Sequence, residues 1–96
     1  MMFIVSINWT EQGIRTIKDW PKRVAQAREV GKKVGVELKQ TFLTTGEHDM
    51  IAIVETANGD NIAKFALATG MAGNIRTKTV QAWPEAEFVK MLGELP

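Results

Sequence analysis

At 96 residues and 10.7 kDa the chain has room for one domain, residues 1–96, built around one hydrophobic core. Hydrophobic residues make up 45%, too many for a disordered tail. Twelve Lys and Arg against eleven Asp and Glu leave +1, which argues against a nucleic-acid binder, because such a protein needs an excess of cations over the phosphates it meets. No cysteine is present, so disulfide scaffolds, thiol catalysis, iron–sulfur clusters and thiolate zinc sites are excluded. The single histidine, His48, rules out the usual two- and three-histidine metal sites within one chain. No metal and no cofactor are expected. The longest apolar runs, residues 1–5 and 50–54, are far too short to span a bilayer, and no basic stretch leads into the first of them. We therefore expect no signal peptide, no membrane partner and a cytoplasmic location.

Met2 to Ile7 is a short run rich in β-branched residues and apolar on both faces, the pattern of a central strand. Thr10 is a candidate N-cap for a short helical turn through Ile14 and Ile17. Asp19-Trp20-Pro21 then opens a longer helix, with Asp19 or Trp20 as N-cap and Pro21 in the first turn, where its missing N–H costs nothing. Val24, Ala27, Val30 or Gly31, and Val34 keep a helical stripe, and Gly35 is a natural C-cap. Residues 36–45 alternate, with Val36, Leu38 and Phe42 on one face and Glu37, Lys39 and Thr41 on the other. Gly46 to Asp49 is a turn. Met50 to Thr56 is a third strand, apolar on both faces, and the short loop makes strands two and three an antiparallel hairpin. Asn58 or Asp60 caps a helix that turns Ile62, Phe65, Ala66 and Thr69 inward. Residues 74–83 read as a polar edge strand. Pro84 and its following acids start a last helix with Phe88, Met91, Leu92 and Leu95 on one side.

The order is β-α-β-β-α-β with a terminal helix, the split-βαβ, ferredoxin-like arrangement of the α+β class. Its sheet order 4-1-3-2 places strands one and three in the middle. Those are the two strands that read apolar on both faces, so topology and patterning agree. One sheet face receives the two main helices. The other keeps an apolar set that a soluble monomer seldom exposes. A homodimer closed through the sheets, of the dimeric α+β barrel type, is therefore expected, with the last helix at its rim or on a neighbour.

Three stretches are similar to the GYD-domain family. Asn8-Trp9-Thr10-Glu11-Gln12-Gly13 resembles its Asn-aromatic-Thr-acid-Gln-Gly signature. Gly46-Glu47-His48-Asp49 stands where that family has Gly-x-Tyr-Asp, with His48 in place of the tyrosine. Gly73-Asn74-Ile75-Arg76-Thr77, with Ala82-Trp83, resembles its Gly-Asn-Val-Arg-Thr strand and following aromatic. The resemblance implies a ferredoxin-like, oligomerising domain and no particular reaction.

Two groups of residues carry candidate chemistry for binding a ligand. His48 and Asp49 suit a general acid/base oriented by a carboxylate, or else a hairpin turn in which Asp49 bonds local amides. Trp9, Gln12, Asn74 and Arg76, with Asn8 and Glu55, form the second group, in which Arg76 could fork a ligand carboxylate. The alternative is an Arg76–Glu55 or Arg76–carbonyl bond with Trp9 in the core. Taking strands one and three as parallel sets the two groups at opposite ends of the sheet. Seven of the twelve cations fall in residues 15–33, among Glu11, Asp19 and Glu29, the pattern of a solvated helix face. The reading that follows is a small homo-oligomeric domain that binds a small ligand or serves as an assembly module. Its alternative is a cofactor-independent enzyme with a pocket between sheet and helices. An enclosed pocket of a few hundred Å³ would mark a binding or catalytic interior, whereas a packed interior would mark assembly.

Overall fold

The computed structural model describes residues 1–96. In order they form β1 (Met2–Trp9), α1 (Glu11–Arg15), a 3-10 turn (Ile17–Asp19), α2 (Trp20–Val34), β2 (Val36–Leu43), β3 (Met50–Thr56), α3 (Gly59–Met71), β4 (Ile75–Ala82) and α4 (Glu85–Leu92). The four strands make one sheet in the order β2-β3-β1-β4, the expected order read from its other edge. The architecture is a small α+β fold with a four-stranded antiparallel sheet.

Every neighbouring pair is antiparallel, including β1 with β3. Ile7 stands opposite Met50, and Met2 opposite Glu55. This overturns the parallel pairing expected of those strands. The crossover through α2 makes β2 run with β1, and the hairpin after β2 then reverses β3. The start of β3 is therefore beside the end of β1.

Phe3, Val5, Ile7, Val36, Leu38, Met50, Ala52 and Val54 all point to one face and are buried there with Phe65 of α3. Trp20, Val24, Val30 and Val34 of α2 and Ile62 of α3 pack over them. The helices end where the sequence marks it. Gly35 takes φ 81° at the close of α2, and Asn58 Oδ1 accepts from the Asp60 amide at the start of α3. Thr56 is the one buried polar side chain. Its hydroxyl donates to the Gly35 carbonyl at 2.8 Å and accepts from Asn61 Nδ2 at 3.1 Å, so its burial is compensated.

Two details depart from the pattern. Lys39 is an extra residue in β2: Leu38 stands opposite Val54, and Gln40 opposite Ile53. This β-bulge interrupts the alternation, so Phe42 leaves the face of Val36 and Leu38 and is 48% exposed. Pro84 sits one place earlier than expected, as the residue flanking α4.

The second sheet face is bare. It carries Met2, Ile4, Ser6 and Asn8 of β1, Ile51, Ile53 and Glu55 of β3, Glu37, Gln40 and Phe42 of β2, and Arg76, Lys78, Val80 and Ala82 of β4. The apolar side of α4 does not cover it, and all eight of its residues are exposed. The radius of gyration, 14.7 Å, exceeds the roughly 12.5 Å of a compact chain this long. No helix is long and apolar enough to cross a membrane.

Candidate functional site

The antiparallel register gathers at one end of the sheet what the sequence reading kept apart. β1 ends in Asn8 and Trp9, β3 is entered through His48 and Asp49, and β4 begins after Asn74. Trp9, Gln12, Asn74, His48 and Asp49 thus share one end of the molecule. Glu55 lies at the other end, opposite Met2, where it meets Lys39 instead of Arg76.

Each side chain has a definite job. The Asp49 carboxylate accepts from the backbone amide of Trp9 at 2.9 Å, so it ties β3's entry to β1's exit and does not bond its own turn. The turn itself is made by Gly46, at φ 103°. Asn8 Nδ2 donates to the Glu47 carbonyl at 3.1 Å, which presents Asn8 Oδ1 to His48 Nδ1 at 3.1 Å. An oxygen acceptor there makes Nδ1 the protonated nitrogen and leaves Nε2 as the acceptor of neutral His48. The histidine is oriented by an amide and not by the expected carboxylate. Metal binding gains nothing from this arrangement, since no group of three or more His, Asp or Glu side chains converges.

The second half of the site is a strap between α1 and the approach to β4. Thr10 caps α1, accepting from the Gly13 amide at 3.1 Å and donating to the Gly73 carbonyl at 2.6 Å. Gln12 Nε2 donates to the Ala72 carbonyl at 3.2 Å and to Asn74 Oδ1 at 2.9 Å. Gly13 is buried, and a Cβ there would fall 1.9 Å from the Asn74 carbonyl oxygen. Gln12 and Asn74 are thus committed to each other and to backbone.

Trp9 is half-buried against the core and meets Trp20 edge-on, with centroids 6.4 Å apart. Arg23 lies 5.7 Å over the Trp20 ring and donates to the Gly13 and Thr16 carbonyls at 3.1 and 2.8 Å. The sequence reading assigned Arg23 only to a solvated helix face. Nothing in its spacing announces that α1's last carbonyls need a donor. Arg76 stands opposite Asn8 on the bare sheet face, exposed and outside every ion pair. Of the candidates, His48 Nε2 and the Arg76 guanidinium remain available to an outside group.

Asp49→Ala is expected to lower stability by about 1.5–3 kcal/mol, the worth of a hydrogen bond to a charged acceptor. Asp49→Asn, which keeps an acceptor oxygen, should lose less than half as much. Urea titration of both variants checks this, and equal losses would mean that the charge, not the Trp9 contact, matters.

Comparison with known proteins settles the family. The family model described as the GYD domain matches residues 3–92. The chain belongs to the GYD-domain family. A relative from Thermus thermophilus, named glutamine synthetase and cystathionine beta-lyase binding protein, is 26% identical over 91 residues, spanning 94% of this chain and 96% of that protein. Two solved Mycobacterium tuberculosis structures share the fold. The leucine response regulatory protein aligns with a TM-score of 0.64, and a feast or famine regulatory protein complexed with L-methionine with 0.65. Each is 16% identical, and the match covers 86% of this GYD domain but half of each regulator.

Proposed function

We propose that this GYD-domain protein is a non-catalytic assembly module, a homodimer closed through its bare sheet faces that offers its surface to another protein. The observation that carries the reading is the contrast between the two faces of the sheet. Beneath the helices the interior is packed. The cavity there is about 50 Å³, lined by apolar groups and threonines, with room for little more than one water. A substrate pocket needs several hundred Å³ with converging polar groups, so the enzyme alternative draws no support from the interior. On the other face, Ile4, Ile51, Ile53, Phe42 and Val80 lie uncovered. A second copy would bury them symmetrically and add the core that a small domain lacks.

The Thermus thermophilus relative that is named for binding two enzymes supports a protein partner beyond the second copy. The sheet end with His48 Nε2 would serve such a partner as an acceptor for a hydrogen-bond donor.

Light scattering at micromolar concentration should return at least twice the 10.7 kDa chain mass. Ile53→Lys, at the centre of the bare face, should return the chain mass with an unchanged fold by circular dichroism. A folded wild-type monomer at that concentration would sink the reading.

A further inference from the structure

The bare face is patterned as well as apolar, and its pattern selects one way of pairing. Its residues fall in cross-strand rows. Glu37, Glu55, Met2 and Ala82 make the first row, from β2 across to β4. Gln40, Ile53, Ile4 and Val80 make the second, and Phe42, Ile51, Ser6 and Lys78 the third. Asn8 and Arg76 close the fourth. The apolar side chains therefore run along a diagonal, from Phe42 on β2 through Ile51, Ile53 and Ile4 to Val80 on β4. The two corners off this diagonal are charged and opposite in sign.

The acidic corner holds Glu37 and Glu55. Lys39 bridges them at 3.3 and 3.6 Å, which leaves a net charge of −1. Those two carboxylates raise the Lys39 pKa above its ordinary 10.5, chiefly through the hydrogen bond from Lys39 to Glu37, so the lysine stays charged and spent on them. The basic corner holds Arg76 and Lys78, neither of which takes part in an ion pair.

We propose that two copies pack these faces about a two-fold axis lying along the Phe42–Val80 diagonal, so that the acidic corner of each copy meets Arg76 and Lys78 of the other. This rests on the dimer reading above and adds its geometry. A two-fold axis in the interface plane maps a point on one side of the axis onto the other side. Along the apolar diagonal it sets Phe42 and Val80 near their own copies and joins opposite charges twice. An axis parallel to the strands lays β2 over β4 and brings the basic corner onto Phe42. An axis across the strands brings it onto Val80 and Ala82. The other diagonal stacks acid on acid and base on base. Only one arrangement buries the apolar stripe while pairing both charged corners, and like-charge juxtaposition counts against its mirror choice.

The test is a charge exchange read by sedimentation equilibrium. One variant carries Glu37→Lys and Glu55→Lys, the other Arg76→Glu and Lys78→Glu. All four positions are exposed, so both chains should keep the wild-type circular dichroism spectrum. Each alone should dimerise at least about ten-fold more weakly, because both contacts become repulsive. Mixed in equal amounts they should form a heterodimer within about three-fold of the wild-type affinity, since both contacts are attractive again. As a milder check, Arg76→Gln with Lys78→Gln should remove most of the salt dependence of the wild-type dimer. Reversed variants that dimerise as tightly as wild type, or a mixture as weak as its parts, would overturn the geometry while leaving the dimer standing. A monomeric wild type would instead remove the dimer itself.

Discussion

Phe65→Ala is expected to cost about 3–5 kcal/mol of folding stability, the largest loss from a single truncation in this chain. Phe65 is the only buried residue of α3 and the only member of the buried cluster that comes from a helix. Its ring reaches across to α2, where a ring carbon lies 3.4 Å from the place a Gly31 Cβ would occupy. It also lines the 50 Å³ cavity beneath the helices, so the space left by truncation joins a void already present. Neighbours that cannot collapse into the gap put the loss at the upper part of the range. A domain of this length holds roughly 5–14 kcal/mol in all, so the variant should lose a large share of it. Urea unfolding with an unchanged m-value would measure the effect. A loss below about 1.5 kcal/mol would show that α3 is held by something other than this ring.

Gly13→Ala is expected to cost about 3 kcal/mol by overpacking. The added Cβ would collide with the Asn74 carbonyl oxygen at 1.9 Å and its carbon at 2.9 Å, both backbone atoms that cannot swing aside. Relief requires α1 to lift away from the start of β4. That movement would stretch the Thr10 amide bond to Asn74, now 3.0 Å, and the Gln12 bond to Asn74 Oδ1. Gly70→Ala is the control, because nothing lies within 4 Å of a Cβ at that helical position. It should be neutral or slightly stabilising. Thermal melts distinguish the two, and hydrogen exchange at the Thr10 amide should accelerate only in the Gly13 variant. Equal melting temperatures would mean that α1 is free to shift at no cost.

The two central strands were legible because a strand buried on one face and bare on the other, yet apolar on both, leaves a dense apolar run at β1 and β3. Helix ends were legible where one residue carries the geometry, as Thr10, Gly35 and Asn58 do. The site was only half legible. Its residue types were visible, but their grouping depends on strand direction, and the parallel pairing assumed for β1 and β3 sent His48 and Asp49 to the wrong end. The Ile7–Met50 pairing brings them back. Partners chosen by backbone geometry left no trace either. Asp49 reaches the Trp9 amide forty positions away, and His48 reaches Asn8 at the same separation. Arg23 serves carbonyls whose need arises only once α1 stops at Arg15.

The extra residue at Lys39 divides β2 into two segments with opposite parity. Before it, even-numbered residues face the helices, as Val36 and Leu38 do. After it, odd-numbered residues do, beginning with Thr41 opposite Ala52, and even-numbered Gln40 and Phe42 turn outward. The strand is thus addressed to two surfaces, and the same kind of substitution has different consequences along it. A polar residue at Leu38 strikes the monomer's own interior, whereas one at Phe42 leaves that interior whole and changes only what the molecule shows to others. Deleting the single residue Lys39 would straighten β2 into unbroken alternation while leaving Gln40 opposite Ile53 and Phe42 opposite Ile51, so the strand would keep both of its audiences and lose instead the cation that holds Glu37 and Glu55 together.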